Sequence, residues 1–252
     1  MGHSLQVFSL SKKIHFFLDI LGPFFDNAGM NYPGGKGGVY QRLINLMPPH
    51  EVYIETHLGG GAIIRYKKLA KRNIGIEIDP KTIEMWTKTS SKIDFELIHG
   101  DAIRYLESYN FIGKELVYCD PPYLRKARKK RYPIFRYEYT LEQHEKLLEV
   151  IKSLPCMVMI SGYESSLYKK SLKGWNIHSF NAACHHGTAT EWIWMNYPPP
   201  VELHDYSYLG DNFRERERIL KITKNWVARL KKMPVLERNA LLSAISSLNE
   251  TS

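Results

Sequence analysis

Three short apolar stretches, each followed by a turn that carries an acid, constrain the fold of this chain more than any other feature. Residues 52–55 (Val-Tyr-Ile-Glu) run into a glycine-rich turn at 59–61 and then into an apolar helical start. Residues 74–79 and 95–101 repeat the pattern of strand and acid. A strand, a glycine turn and a helix place helix N-terminal amides against a bound nucleotide. The pattern predicts an α/β fold built on an open sheet.

The acids at these strand ends are Glu55, Glu77 and Asp101. Because the carboxyl ends of parallel strands meet at one edge of a sheet, we expect the three side chains to line one cleft. Glu77 also stands at about the offset from the glycine turn where such folds use a carboxylate to hold ribose hydroxyls. Helix capping is the competing interpretation, and for Asp79 and Asp101 it is a fair rival.

A fourth apolar run, residues 115–118, leads into the sequence Cys-Asp-Pro-Pro-Tyr at 119–123. The two prolines lack backbone donors, so a strand cannot continue through them, and proline favours an extended residue before it. A carboxylate, free carbonyls and an aromatic ring therefore stand on a stiff turn at the carboxyl end of a strand. Ligands bind at that position in open α/β sheets.

The groups on this turn suit a planar amine such as the exocyclic amino group of adenine. The lone pair of such an amine is spread into the ring, and two acceptors facing its hydrogens would draw that pair out for attack. Asp120 offers one acceptor and the carbonyl of Pro121 another, while the ring of Tyr123 can stack on a flipped base. The alternative is a strand-ending turn with an exposed aspartate.

A second glycine-rich segment, residues 32–38 (Tyr-Pro-Gly-Gly-Lys-Gly-Gly), precedes the first strand. Glycines let the backbone approach a ligand closely, and Lys36 can place a point charge on a phosphate or carboxylate. The alternative is a flexible surface turn.

The segment 124–139, which follows the Asp-Pro-Pro-Tyr turn, holds seven basic residues against one acid and interleaves them with aromatic residues. Cations neutralise phosphates and aromatic rings stack on bases, so the segment predicts nucleic-acid contact beside the site, rather than a solvated charge run. The net charge of +9 also favours an acidic partner. The basic residues are Arg125, Lys126, Arg128, Lys129, Lys130, Arg131 and Arg136.

The remaining pattern predicts a helix at 140–154, a strand at 156–161, a short helix at 165–173 and a hairpin of strands at 175–183 and 191–196. The hairpin connection contains Cys184-His185-His186, but no fourth ligand has the spacing of a zinc site, so a polar loop over the cleft is favoured. Three widely spaced cysteines favour a reduced, intracellular compartment, and no run reaches the roughly 18 apolar residues of a membrane span.

The domain limits follow from breaks in this pattern. Residues 1–29 resemble a leader or extension, and the domain proper is expected to start at Met30. The prolines at 198–200 end the sheet pattern, so residues 30–197 form the predicted domain and 198–252 a helical segment. The helices of this last segment are basic; they are interpreted as a hairpin packed on the core, as helices lying along a DNA backbone, or as both.

Taken together, these motifs resemble the Dam-type class of adenine-specific DNA methyltransferases between about residues 31 and 197. The order of the motifs is that of the class. The resemblance implies a seven-stranded Rossmann-like sheet and the cofactor S-adenosylmethionine. It also implies a partner, double-stranded DNA with a flipped adenine, and a monomer is favoured.

The resemblance assigns roles to residues of this chain. Glu77 would hold the ribose of the cofactor, Asp101 its adenine amine, and the glycine turn with Glu55 its methionine part. Lys36 would reach towards the target base. Asp120, Pro121, Pro122 and Tyr123 would hold the flipped adenine. The implied cofactor-binding set is Tyr32, Gly34, Gly35, Lys36, Glu55, Gly59, Gly61, Glu77, Ile78, Asp101, Ala102 and Asp120.

The chain departs from the class at two points. Thr56-His57 stands where the class has Pro-Phe, and the interval from Asp101 to Asp120 is too short for a target-recognition domain. Recognition would then fall on residues 124–139 and the C-terminal helices. The alternatives left open are an RNA adenine or a cytosine amine as substrate, and a nucleic-acid-binding module without catalysis.

Overall fold

The computed structural model describes residues 6–8, 35–89, 93–128, 133–184 and 187–248, without the side chains of 6–8, 183, 184 and 187. Two compact units divide the chain, one from Met1 to Asp205 and the other from Tyr206 to Ser252. The described helices include none that is long and apolar enough to cross a bilayer.

One mixed sheet forms the centre of the first unit. Its order is β1-β4-β3-β2-β5-β6-β8-β7. Strands β4, β3, β2, β5 and β6 are parallel to one another, β1 pairs antiparallel with β4, β8 pairs antiparallel with β6, and β7 pairs antiparallel with β8. The strands are β1 (Gln6–Phe8), β2 (Val52–Glu55), β3 (Arg72–Glu77), β4 (Glu96–His99), β5 (Glu115–Cys119), β6 (Met157–Gly162), β7 (Asn176–Cys184) and β8 (Gly187–Met195).

This sheet confirms the predicted Rossmann-like fold, since β2 to β8 are the seven expected strands. Two details differ from the sequence analysis. The segment interpreted as a leader contributes β1, which pairs with β4. The hairpin strand β8 begins at Gly187 rather than 191, so only residues 185 and 186 separate it from β7; both lie outside the described ranges.

Helices cover the sheet, and buried aliphatic side chains join the two layers. Leu106, Leu147 and Ile151 pack with the central strands on one side. The helices of this unit are α1 (Tyr40–Ile44), α2 (Ala62–Tyr66), α3 (Pro80–Lys88), α4 (Ala102–Ser108), α5 (Leu141–Ser153) and α6 (Ser166–Ser171). Short 3₁₀ turns occupy Lys36–Gly38 and Arg125–Ala127.

Helix starts follow the signals in the sequence. Thr140 and Gln143 form a complete capping box at the start of α5. Asp79 accepts from the backbone N–H of Lys81, and Asp101 accepts from that of Arg104. Both acids therefore cap helices, as the capping interpretation expected, and this fixes their position at the strand ends.

The chain order of the sheet defines where a ligand can bind. From β2 the chain moves outward to β3 and β4, and it then returns to place β5 on the opposite side of β2. The crevice beyond the carboxyl ends of β2 and β5 is thus the switch point at which open α/β sheets bind ligands. Glu55 and Asp120 stand at those two strand ends.

The second unit consists of two helices, α7 (Phe213–Lys232) and α8 (Val235–Leu248). Asn212 caps α7 by accepting from the backbone N–H of Glu215. No described residue of either helix is buried, and large apolar side chains such as Trp226 are exposed.

Candidate active site

A cavity of about 1190 Å³ opens at the carboxyl ends of β2, β3 and β5. The structure brings most of the predicted site residues together in its walls. Tyr32 and Gly34 lie outside the described ranges. The predicted catalytic and cofactor-binding residues that line the cavity are Gly35, Lys36, Glu55, Gly59, Gly61, Glu77, Ile78, Asp101, Ala102, Asp120, Pro121, Pro122 and Tyr123, and Arg128 and Arg136 of the predicted nucleic-acid-binding set line it too.

The glycine loop (residues 59–61) is held by groups on both sides. The backbone N–H of Gly59 donates to Glu77 Oε2 at 2.8 Å, and the indole N–H of Trp86 donates to the Gly59 carbonyl at 2.8 Å. Gly61 has φ of +61°, and a Cβ there would lie 2.4 Å from the Trp86 ring. Only glycine fits this position without strain, because a side chain would meet both an unfavourable φ and the indole.

Glu77 is buried, and backbone amides satisfy both of its oxygens. Oε2 accepts from Gly59, and Oε1 accepts from the N–H of Asp79 at 2.8 Å. Burial raises the pKa of the Glu77 carboxyl, and these hydrogen bonds oppose that shift. Each carboxylate oxygen has a second lone pair, so Glu77 retains acceptor capacity towards a ligand.

Glu55 stands deeper in the crevice and is also buried. Its Oε2 accepts from the hydroxyl of Tyr53 at 3.1 Å and from the N–H of Ile64 at 3.2 Å. Burial raises the pKa of Glu55 to about 8; the Tyr53 hydrogen bond opposes the shift and the charge of Asp120 adds to it.

At the other end of the cavity four side chains form what we call the lysine cluster: Lys36, Asp120, Tyr123 and Glu191. The Lys36 ammonium lies 2.8 Å from Asp120 Oδ1 and 3.6 Å from Glu191 Oε1, and it donates to the Tyr123 hydroxyl at 2.8 Å. Burial alone would lower the pKa of Lys36, but the two carboxylates outweigh it and raise that pKa. Lys36 is therefore a buried, protonated cation.

The two residues that depart from the class pattern have a defined place. Thr56 Oγ1 is hydrogen-bonded to His57 Nδ1 at 2.8 Å, and His57 Nε2 to the Tyr139 hydroxyl at 2.9 Å. Burial lowers the pKa of His57 to about 3, helped by nearby His144, so the imidazole is neutral. His57 therefore connects the strand end of β2 to the segment that follows the Asp-Pro-Pro-Tyr turn.

That segment, predicted to contact nucleic acid, is placed beside the cavity. Arg125 and Lys126 are exposed, while Arg136 is exposed and pairs with both oxygens of Asp79 at 2.6 Å. Arg128 differs from the expectation: it is buried, and its guanidinium makes two hydrogen bonds to Glu138 at 2.9 and 2.7 Å. Glu138 thus neutralises the charge of Arg128, which also lines the cavity. Lys129, Lys130 and Arg131 lie outside the described residues.

Sequence reasoning missed Glu191 and Trp86. Glu191 is the acid of β8 and directly precedes the apolar and aromatic run 192–195, and this change in the pattern was the available signal. Trp86 gave no local signal, because its role depends on how α3 packs against the glycine loop.

Residues 101–185 match the model of the family described as D12 class N6 adenine-specific DNA methyltransferase. This match indicates a methyltransferase. It confirms the resemblance over the segment from Asp101, which follows β4, to the connection between β7 and β8. No curated protein matches the chain in sequence.

Solved structures that resemble the chain include methyltransferases with several kinds of substrate. One is an rRNA methylase from Streptococcus thermophilus, at 15 % identity, covering 62 % of this chain and 92 % of that one, with a TM-score of 0.42. Another is TrmK from M. capricolum with S-adenosyl-homocysteine, at 9 % identity, 84 % and 95 % coverage and a TM-score of 0.41. A magnesium protoporphyrin IX methyltransferase from Synechocystis with bound S-adenosylmethionine has 12 % identity, 63 % and 80 % coverage and a TM-score of 0.40. At these scores the likenesses do not bear on substrate or residue roles.

Proposed function

We propose that this protein transfers a methyl group from S-adenosylmethionine to the exocyclic amino group of adenine in DNA. The observation that carries the proposal is the position of Asp120 in the same cavity as the glycine loop, Glu77 and Asp101. An acceptor for a base amine and a nucleotide-type site thus share one space. The family match over residues 101–185 supports the same reaction.

The residues present fit the proposed cofactor. The cavity is large enough for a nucleoside with an amino-acid chain, and the acids Glu77 and Asp101 line it on the side proposed to hold the nucleoside. Glu77 would accept from the ribose hydroxyls and Asp101 from the adenine amine, while the glycine loop lies along the methionine part. When bound, S-adenosylmethionine supplies an electrophilic methyl carbon on a positively charged sulfur.

At the other end of the cavity, the lysine cluster would receive the flipped base. The Asp120 carboxylate and the Pro121 carbonyl accept the two amine hydrogens, so the nitrogen lone pair is directed away from the ring and towards the methyl carbon. The Tyr123 hydroxyl accepts a hydrogen bond from Lys36 and donates one to Glu191. These two bonds fix the ring that would stack on the base. Catalysis then consists of orientation and hydrogen bonding, and it needs no covalent enzyme intermediate.

DNA would approach the cavity along the basic segment 124–139. Arg125 and Lys126 are exposed beside the Asp-Pro-Pro-Tyr turn, and the whole chain carries a net charge of +9. Exposed cations neutralise phosphates without reading sequence, so these contacts position the duplex and confer little base specificity.

The test is transfer of radiolabelled methyl from S-adenosylmethionine to unmethylated duplex DNA, followed by nucleoside analysis. We expect label in N6-methyladenine, and none with the Asp120→Ala variant, whose cofactor binding is checked by calorimetry. Label in N4-methylcytosine, or in RNA and not DNA, would contradict the proposed substrate. Failure of the wild-type protein to bind S-adenosylmethionine would contradict the reaction itself.

A further inference from the structure

Glu191, on β8, belongs to the lysine cluster although no motif pointed to it. Its Oε1 accepts from the Tyr123 hydroxyl at 3.3 Å and lies 3.6 Å from the Lys36 ammonium. Its Oε2 is fully buried and has no hydrogen-bond partner among the described residues. A buried carboxylate oxygen without a hydrogen bond is unfavourable for folding. We therefore look for the reason for Glu191 in the reaction.

The charges of the cluster show what Glu191 adds. Lys36 is a protonated cation, and the charge of Asp120 alone would be cancelled by it at 2.8 Å. Counted as formal charges, the two carboxylates of Asp120 and Glu191 and the one ammonium of Lys36 sum to one net negative charge. Without Glu191, the end of the cavity that receives the base would be electrically neutral.

The transferred group explains why this net charge matters. The target amine is neutral before transfer. It becomes positive when its lone pair forms the bond to the methyl carbon and the electron pair of the carbon–sulfur bond passes to sulfur. The methylated amine then releases one proton to solvent. Fixed negative charge near the nitrogen stabilises the charge as it develops, which is the condition for electrostatic catalysis.

We propose that Glu191 is a positioning residue of the transfer reaction: through Lys36 and Tyr123 it holds the cluster and keeps its net charge negative where the target amine becomes positive. The inference rests on the proposed function. It makes two separable demands on the side chain, one of charge and one of shape. Glu191→Gln removes the charge and keeps the shape, whereas Glu191→Asp keeps the charge on a shorter side chain.

The experiment measures single-turnover methyl transfer by the full chain to unmethylated duplex DNA, with cofactor affinity by calorimetry and thermal midpoints alongside. We expect E191Q to lower the rate of methyl transfer by about 10- to 100-fold, which is less than the loss expected on replacing Asp120, the residue that contacts the target amine. E191D should lose less of the rate than E191Q. Glu149→Gln, which removes an exposed carboxylate on α5, is the matched control and should retain the wild-type rate. Cofactor affinity should change by less than about threefold in every variant, because Glu191 lies at the base-binding end.

A double-mutant cycle with Lys36→Met tests the charge argument directly. Once Lys36 no longer cancels Asp120, the charge of Glu191 is not needed, so the loss caused by E191Q should shrink to less than about threefold in that background. An equal loss in both backgrounds would overturn the inference. If E191Q alone does not fold, the rates of K36M and K36M/E191Q are compared instead. A tenfold difference between these two rates would contradict the charge argument, because Lys36 is absent from both.

Other outcomes are also decisive. A wild-type rate for E191Q, or a rate for E191Q at or above that of E191D, would show that charge at this position is irrelevant. If the wild-type protein methylates DNA and Glu191 proves irrelevant, only this inference falls. If the wild-type protein binds S-adenosylmethionine but methylates no DNA, the proposed function falls and the role of Glu191 falls with it.

Discussion

The two ends of the cavity hold their carboxylates in opposite ways. Glu77 is fixed by backbone N–H groups of Gly59 and Asp79, whereas Asp120 is fixed by the side chain of Lys36. The first arrangement follows once the strand and the glycine loop form. The second needs side chains from three separate parts of the chain. We therefore expect the backbone-held end, called the cofactor end below, to bind the cofactor, and the side-chain-held end to serve the chemistry.

The largest effect is expected from exchanging one carboxylate at each end for an amide. Asp120→Asn should lower the single-turnover rate of methyl transfer by at least about 100-fold, because the negative charge is lost and one carboxylate oxygen is replaced by an NH2 donor. Its cofactor affinity should change little. Glu77→Gln should instead weaken cofactor binding by about 10-fold or more, because a charged acceptor is lost.

Calorimetry with S-adenosylmethionine and a methyl-transfer assay at saturating cofactor separate these two results. The comparison between the ends of the cavity fails if both variants lose cofactor affinity equally. It fails also if Glu77→Gln reduces the rate at saturating cofactor as much as Asp120→Asn does. Either result would mean that the cavity acts as one site without a division of roles.

A second test concerns how firmly the backbone holds the cofactor end. Gly61→Ala places a Cβ at φ of +61° and 2.4 Å from the Trp86 ring, so we expect the free energy of unfolding to fall by about 2–4 kcal/mol. Gly37→Ala is the control, since nothing lies within 4 Å of its Cβ position. Denaturant unfolding of both variants measures the difference, and equal stability would show that the loop adjusts freely.

The same contrast explains what the sequence could predict. At the cofactor end, strand, glycine turn and acid follow one another along the chain, so they were readable in order, and Glu77 and Asp101 lie at the cavity. The lysine cluster depends on long-range packing. The motif Asp-Pro-Pro-Tyr was visible, but Glu191 comes from β8, and no local pattern states that β8 packs beside β6. The pairing of Arg128 with Glu138 was not predicted either, because the two residues are ten positions apart and meet only through the fold of the segment.

The third prediction concerns Glu55, which stands between the two ends. Burial raises the pKa of its carboxyl from 4.5 to about 8, so the folded protein retains this proton at pH values where the unfolded chain has lost it. The free energy of unfolding therefore falls as the pH rises from about 4.5 to about 8. Glu55→Gln lacks this dependence and keeps an oxygen that accepts from Tyr53 and Ile64.

We expect the glutamine variant to match the wild type near pH 4.5 and to exceed it by about 3–4 kcal/mol at pH 7.5. Urea unfolding at the two pH values checks this. A variant less stable than the wild type at pH 7.5 would show that Glu55 is ionised in the folded protein. Glu55 would then belong with the charged groups of the lysine cluster rather than with the neutral groups of the crevice.

The smallest effect is expected at the rim of the cavity, where Arg136 pairs with Asp79. The Arg136 side chain is 55 % exposed, and ion pairs of this kind contribute at most about 1 kcal/mol. Arg136→Ala should therefore weaken S-adenosylmethionine binding by less than about fivefold, and this loss should diminish in 0.3 M salt (~6 Å screening length). Asp79 still caps α3 in the variant, so thermal stability should hold. A tenfold loss that persists in salt would place Arg136 in the cofactor site itself, and the cofactor end would then depend on a side chain as the lysine cluster does.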